Sequence, residues 1–194
     1  MRGTRWMATM ATMAAVAVLT ACGGDGNGSV GPGNGGAGFS ADVQGDIETS
    51  IKGDALYGNA SDPEAGTIFA IEMSEDDSTG GGLIQLIRIG AGVPAVGNYQ
   101  LTDAVNGTPQ EGDWVAAAYD SDQGQLTAIF AATSGSVKVT RNSNGAYEGT
   151  FDFIAIGGAL SDPTTEMTIA VNGRFKATQS PGSAVRSLPR VRSR

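Results

Sequence analysis

The sequence contains no histidine and a single cysteine, and these two scarcities exclude several kinds of chemistry. Without histidine there is no Ser–His–Asp or Cys–His catalysis, no haem held by histidine, and no common type of catalytic zinc site. One cysteine cannot form an intramolecular disulfide. Charged residues make up only 16% of the chain and aromatic residues 6%. This composition, with 30 glycines, favours a turn-rich β protein over a helical bundle.

Basic residues are also scarce, and motifs that activate a nucleophile are absent. The chain has 12 basic and 20 acidic residues, a net charge of −8, so we expect no nucleic-acid partner. Neither G-x-S-x-G nor S-x-x-K occurs. An activated serine would then need a lysine partner, and Lys52, Lys138 and Lys176 occupy strand positions that look exposed. We therefore predict that the protein is not an enzyme and uses no cofactor.

The first 22 residues have the layout of a secretory signal peptide. Arg2 and Arg5 precede an uncharged stretch, Met7–Leu19, which ends in Leu19-Thr20-Ala21-Cys22. This ending resembles the lipobox of bacterial lipoproteins, which implies cleavage before Cys22 and its modification with acyl chains such as palmitate. Two alternatives remain. The stretch is an uncleaved membrane anchor, although about 20 residues are needed to span a bilayer, or Cys22 is incidental to an ordinary cleavage site.

Several acyl chains would anchor the protein stably in a membrane, whereas one chain gives marginal binding. The predicted localisation is therefore the cell envelope, with the membrane reached through the lipid. In the lipoproteins that the lipobox resembles, Asp directly after the cysteine favours retention in the inner membrane. Gly23 stands there instead, which favours the outer membrane where the organism has one.

Four segments follow from the composition along the chain. We predict a signal peptide at 1–21, a lipidated cysteine with a flexible tether at 22–38, a β domain at 39–178, and a basic disordered tail at 179–194. Nine of the 16 residues at 23–38 are glycine, which predicts a flexible coil spanning roughly 20–24 Å. A phosphate-binding loop is the alternative, but G-x-x-x-x-G-K-[ST] is missing.

Alternation of apolar and polar residues predicts nine or ten strands and no helix after the signal peptide. Gln123-Gly124 and Asn144-Gly145 indicate hairpin turns. The fold class is therefore all-β, an antiparallel β-sandwich or a small barrel. The first two strands are expected to be separate or one strand bent at Gly53. The predicted strands lie at about 40–50, 54–58, 66–74, 82–90, 97–102, 113–120, 124–132, 135–141 and 146–156, with a possible tenth at 165–177.

The same alternation predicts which side chains form the core. Six residues on the apolar faces of three strands are expected to share one core: Val137, Val139, Phe151, Phe153, Ile169 and Val171. The run at 82–90 is apolar on both faces for most of its length, which indicates burial on both sides. Trp114 is interpreted as a core or rim residue in preference to a platform for a ligand.

A series of strand and turn motifs runs through the second half of the chain. The motifs are Gly97-Asn98-Tyr99, Ala118-Tyr119, Ser134-Gly135-Ser136-Val137-Lys138-Val139-Thr140, Gly149-Thr150-Phe151-Asp152-Phe153 and Val171-Asn172-Gly173-Arg174-Phe175. The series resembles the DUF6252-type family of small bacterial lipoproteins of unknown function over roughly residues 66–177. The resemblance implies an antiparallel β fold and export, and it carries no catalytic residues.

Adjacent carboxylates give one weak metal candidate. Glu75, Asp76 and Asp77 lie at a predicted hairpin tip, and Glu72 or the Asp120/Asp122 pair are possible additions. Calcium prefers carboxylate and carbonyl oxygens on loops, but the full spacing of an EF-hand is missing. We therefore expect weak calcium binding at most, and a solvated acidic tip is the alternative.

Two functions remain after these exclusions. The first is a lipid-anchored envelope protein that acts as a non-catalytic binding or structural module for an unknown envelope protein or small ligand. The second is a small-ligand carrier with a lipocalin-like barrel, whose interior would need a cavity. Short strands with many core aromatics tend to fill such a cavity, so the presence or absence of a pocket separates the two.

Overall fold

The computed structural model describes residues 37–62, 66–75, 80–90, 92–143 and 145–180, which form nine β-strands. None of these residues belongs to a helix long and apolar enough to span a membrane. The strands are β1 (Gly38–Gly45), β2 (Thr49–Asp62), β3 (Gly66–Glu75), β4 (Gly80–Ile89), β5 (Gly97–Gln100), β6 (Trp114–Asp122), β7 (Gln125–Ser143), β8 (Ala146–Ala159) and β9 (Met167–Gln179).

Eight of the strands close into an antiparallel barrel. Their order is β7-β6-β4-β3-β2-β1-β9-β8, and β8 pairs again with β7. The long strand β7 pairs with β6 along its first half and with β5 along its second half, so β5 is an extra strand beside the barrel. The predicted all-β fold is confirmed, and of its two forms the protein adopts the barrel.

The barrel interior is filled by side chains that alternate along each strand. Phe39, Ala41 and Val43 of β1 point inward, while Asp42 between them and Gln44 after them are exposed. The six residues predicted to share a core all belong to this interior cluster. Trp114, with 1% of its surface exposed, is also a core residue.

A smaller apolar cluster lies outside the barrel, beneath the segment between β5 and β6. Ala104 and Val105 of this segment cover Ile68, Ile87 and Val115 on the outer faces of three strands. Because β4 thus has apolar contacts on both faces, every residue at 84–87 is buried. This confirms the prediction that the run is covered on both sides.

Two predicted strand boundaries were wrong. The break between the first two strands falls at 46–48, and Gly53 lies inside β2, paired with Phe39. The predicted strands at 124–132 and 135–141 are one continuous strand, β7, so the described residues form nine strands. The register of β7 against β8 shifts between Ala132 and Ser134, and this β-bulge interrupts the alternation that was interpreted as a break.

Gly135 makes this irregularity possible. Its φ is 143°, a conformation that other residues rarely adopt. A Cβ at this position would collide with the carbonyl oxygen of Asp152 and with Phe153 on β8. Only glycine therefore lets the two strands stay paired through the bulge.

Aromatic rings fill one end of the barrel. Phe69 packs against Tyr147, with ring centroids 5.2 Å apart, and against Trp114 at 6.1 Å. Residues 92–97 cross this end, held by the Tyr147 hydroxyl and the Asn142 amide, which donate to the Pro94 carbonyl oxygen over 3.0 and 3.2 Å. We call residues 92–97 the strap. Strand β1 begins and β9 ends at this same end, because Gly38 pairs with Lys176.

Candidate ligand-binding site

A pocket lies at the opposite end of the barrel. The last residues of β1, β3, β6 and β8 and the first residues of β2, β4, β7 and β9 meet there. The described residues at this end surround a pocket of about 280 Å³ that extends into the barrel interior. We call this end the mouth. Ligand pockets are commonly about 300–1,000 Å³, and an apolar cavity of about 150 Å³ accepts a molecule as large as benzene, so the mouth has room for a small molecule.

The walls of the pocket are apolar. Six inward-facing side chains form them: Val43, Ile51, Ile84, Ala118, Phe130 and Ile169. Five of the six are aliphatic, whereas the other end of the barrel is packed with rings. The space at the mouth therefore follows from smaller side chains at the inward positions of the same strands.

Gly82 leaves room at the entrance. It precedes Ile84 by two residues on β4, so it occupies an inward position and lines the pocket. A Cβ at Gly82 would lie 3.1 Å from the Cδ1 atom of Ile51. Any side chain at this position would press on that wall and narrow the pocket.

Two carboxylates flank Gly82 on the neighbouring strands. Glu75 follows the buried Met73 by two residues, and Asp120 follows the buried Ala118 by two, so both occupy inward positions and line the pocket. Glu75 accepts a hydrogen bond from the Gly82 N–H over 3.0 Å, and Asp120 pairs with Gly82 across the strands. Two strand spacings place their backbones roughly 10 Å apart. Asp120 also accepts a hydrogen bond from the Thr127 hydroxyl over 3.0 Å.

The electrostatic field at the mouth is negative. Among the described residues, no lysine or arginine lines the pocket or lies in the connections at the mouth. Further carboxylates lie here, Asp122 at the end of β6 and Asp46, Glu48, Asp162 and Glu166 in the connections. Acidic side chains around a concave apolar surface raise the local concentration of cations and repel anions.

A second polar group lies on the outer face of the barrel. Glu72, paired with Gln85 on β4, alternates with the inward residues of β3. Burial raises the pKa of Glu72 to about 7, although the hydrogen bond with Gln85 acts to lower it. Burial and the charge of Glu72 raise the pKa of Tyr119 to about 12. Gln85 is 1% exposed, and its Oε1 has no hydrogen-bond partner among the described atoms. A protonated Glu72 could donate to that oxygen.

The metal candidate predicted from sequence is only partly visible. Glu75 lies at the mouth, while Asp76 and Asp77 fall outside the described residues. Of the possible additions, Asp120 does lie beside Glu75, and Glu72 does not, because it faces the opposite side of β3. In the part of the chain that the structure describes, no group of three or more possible metal ligands occurs.

The three lysines considered as catalytic partners do not belong to the mouth. Lys52 and Lys138 are exposed on the outside of the barrel, and Lys176 is half-buried beside Glu148. Cys22, the predicted lipidation site, falls outside the described residues. The sequence analysis did not predict that Glu75 and Asp120 flank Gly82. The alternation of buried residues along β3 and β6 does place both side chains on the inner face of the sheet.

In comparisons with known proteins, no family model, no curated protein and no solved structure matches the chain. The fold and the mouth are therefore the features that bear on function.

Proposed function

We propose that the protein is a lipid-anchored, non-catalytic binding protein of the cell envelope that takes up a small, largely apolar ligand at the mouth. The observation that carries this proposal is the apolar pocket of about 280 Å³ at one end of a barrel that is otherwise filled. A purely structural module has no need for such a space. Of the two functions expected from the sequence, the pocket favours the ligand carrier with a lipocalin-like barrel.

The positions at which the first strand begins and the last strand ends support this arrangement. Strand β1 begins, and β9 ends, at the end of the barrel opposite the mouth. A tether from a lipidated Cys22 would therefore reach the barrel from that end, and the mouth would be presented away from the membrane. The ligand would reach the pocket from the aqueous side.

The lining also supports binding without catalysis. Among the described residues that line the pocket there is no histidine, cysteine, serine or lysine, and the polar side chains there are Glu75, Asp120, Thr49 and Tyr119. A sugar would need more polar contacts than these apolar walls provide. A six-carbon chain buried in the pocket gains about 4.8 kcal/mol, at about 0.8 kcal/mol per CH₂, which predicts a Kd of about 0.3 mM.

The test is an NMR titration of the full-length protein, labelled at isoleucine methyl groups, with 1-hexanol. We expect shifts at Ile51, Ile84 and Ile169, which line the pocket, and none at Ile68 or Ile89 on the outer face. Absence of shifts at the pocket methyls up to 10 mM, about thirty times the predicted Kd, would contradict the proposal.

A pair of variants provides a matched control. Ala118→Phe adds a ring to the pocket wall, and Thr150→Phe adds a ring at an exposed position on the outer face of β8. We expect the first variant to lose 1-hexanol binding and the second to keep it. If Ala118→Phe does not fold, the wild-type titration decides the question by itself.

A further inference from the structure

We infer that the ligand of the mouth is an organic cation, an alkylammonium type of molecule whose apolar body fills the pocket and whose positive group lies between Glu75 and Asp120. This inference rests on the proposed function and adds the chemical class of the ligand. It concerns only described residues.

The first step of the argument is the direction of the two carboxylates. Both occupy inward positions on their strands and line the pocket at its solvent-facing rim, where Glu75 is half-buried and Asp120 is exposed. The pocket therefore has an apolar interior and a negative entrance. It is suited to a ligand that is apolar at one end and positive at the other.

The second step is the spacing. Glu75 and Asp120 lie on either side of Gly82, which has no side chain to separate them, and their backbones are roughly 10 Å apart. An ammonium group entering over Gly82 lies within reach of both carboxylates, while its alkyl chain passes between Ile51 and Ile84. Such charge-assisted hydrogen bonds are stronger than neutral ones.

The third step is the absence of compensating positive charge. Among the described residues at the mouth there is no lysine or arginine to neutralise the carboxylates, and the surrounding connections add only acidic residues. An anionic ligand such as a fatty acid is therefore repelled, and a neutral ligand gains no electrostatic binding energy from the two charges. A cation gains electrostatic binding energy from both carboxylates.

The experiment compares three ligands with the same six-carbon body: hexylammonium, 1-hexanol and hexanoate. Each is titrated into the full-length protein, and the pocket methyls of Ile51, Ile84 and Ile169 report binding. The double variant Glu75→Gln/Asp120→Asn removes the two pocket charges. The control Asp54→Asn/Glu111→Gln removes two charges of the same kinds at exposed positions away from the pocket.

We expect the double variant to weaken hexylammonium binding about five- to tenfold and to leave 1-hexanol binding within twofold. The control variant should change neither. In 1 M salt, where the Debye length is about 3 Å, the difference between hexylammonium and 1-hexanol should largely disappear. Comparing wild type with variants in the same medium removes any effect of ligand partitioning into lipid.

The possible results distinguish the cationic ligand from the proposed binding function on which it rests. Binding of 1-hexanol with no advantage for hexylammonium, or hexanoate binding as tightly as hexylammonium, would overturn the cationic ligand and leave the pocket as a binding site. Micromolar calcium binding that displaces hexylammonium would also overturn it, since the carboxylates would then serve a metal ion. No shift at the pocket methyls with any ligand would overturn the proposed function itself.

Discussion

At the scale of single residues, Glu72 has the most unusual environment of the described carboxylates. Burial raises its pKa from 4.5 to about 7. Between these pH values the folded protein binds a proton that the unfolded chain has released, so the free energy of unfolding falls as pH rises through this window. Above pH 7 the stabilisation that protonated Glu72 contributes is fully lost. The difference in the free energy of unfolding between pH 5 and pH 8, from chemical denaturation, measures this loss.

We predict that Glu72→Gln abolishes this slope and raises the free energy of unfolding at pH 8 by about 2 kcal/mol. The full shift would give about 3 kcal/mol, but part of the side chain reaches solvent. Glu111→Gln, at an exposed position, is the control and should leave the slope in place. Equal slopes in wild type and Glu72→Gln would show that another group causes the pH dependence.

Two aspartates oppose this trend at lower pH. Burial raises the pKa of Asp103, but hydrogen bonds from the backbone N–H groups of Asn106 and Val105 outweigh it, and the net shift is downward. The hydroxyl of Thr164 lowers the pKa of Asp162. Groups with lowered pKa values stabilise the fold above the ordinary pKa and lose that contribution as they protonate. Stability should therefore be greatest near pH 4.5–5.

Phe153 tests the position of the core. It is 3% exposed and stacks on Phe151, with ring centroids 6.1 Å apart. Phe153→Ala should lower the free energy of unfolding by about 3–5 kcal/mol, because it removes a buried ring and leaves a cavity. Its neighbour Ile154 faces outward and is 48% exposed. Ile154→Ala should cost less than about 0.5 kcal/mol, and equal losses in urea denaturation would mean that the strand faces the other way.

At the scale of secondary-structure elements, the hydrogen bond from Tyr147 to Pro94 is the buried one among those that hold the strap. Burial is the largest cause of the raised pKa of Tyr147, so its hydroxyl stays protonated and donates to the Pro94 carbonyl oxygen. Tyr147→Phe removes this donor, and we expect it to lower the free energy of unfolding by about 1 kcal/mol. Hydrogen exchange at residues 92–97 should become faster. Tyr57→Phe provides a control on a neighbouring ring, and faster exchange there as well would contradict a specific role for Tyr147.

The elements also show how far the sequence determines the fold. Alternation identified the inward residues of β7, β8 and β9 correctly, because burial on one face leaves a period of two in the sequence. It divided β7 in two because the bulge between Ala132 and Ser134 breaks that period without ending the strand. Barrel closure was not predictable, since it depends on β7 pairing with β8 and on β1 pairing with β9, and local pattern does not record long-range partners.

The acidic residues of the mouth were predictable only in part, because local pattern does not record which strands are neighbours. Glu75 was identified among acidic neighbours in the sequence, and Asp120 was considered as an addition. Their common orientation depends on the register of β3, β4 and β6, in which Gly82 pairs with Asp120. Glu72 was grouped with them because it is near in sequence, but three residues along a strand place a side chain on the opposite face.

At the scale of the whole molecule, charge is unevenly distributed. Residues 39–178 contain 19 acidic and 6 basic residues, and the mouth holds carboxylates without a described base. Self-repulsion of this kind weakens as salt is added. We predict that 0.5 M NaCl raises the melting temperature by about 1–3 °C, equivalent to a few tenths of a kcal/mol.

A chelator should leave the melting temperature unchanged. A lower melting temperature in calorimetry after chelation would indicate a structural metal ion.

The predicted anchor is a property of the whole chain, although Cys22 lies outside the described residues. Cys22→Ser should leave the protein unprocessed or release it from the membrane fraction, because lipidation at this residue supplies the membrane affinity. Ala21→Gly keeps a small residue before the cysteine and should not change the location. An unmodified thiol at Cys22 in the intact mass of the mature protein would contradict the lipoprotein assignment.

The most direct test of the account is where a ligand sits in the barrel. Nuclear Overhauser effects between the alkyl protons of hexylammonium and the methyl groups of the full-length protein locate it without relying on variants. The account predicts effects to Ile51, Ile84 and Ile169, with the protons next to the ammonium group nearest to Glu75 and Asp120. Effects confined to outer-face methyls such as Ile68 and Ile89, or none at all at a saturating concentration, would contradict it.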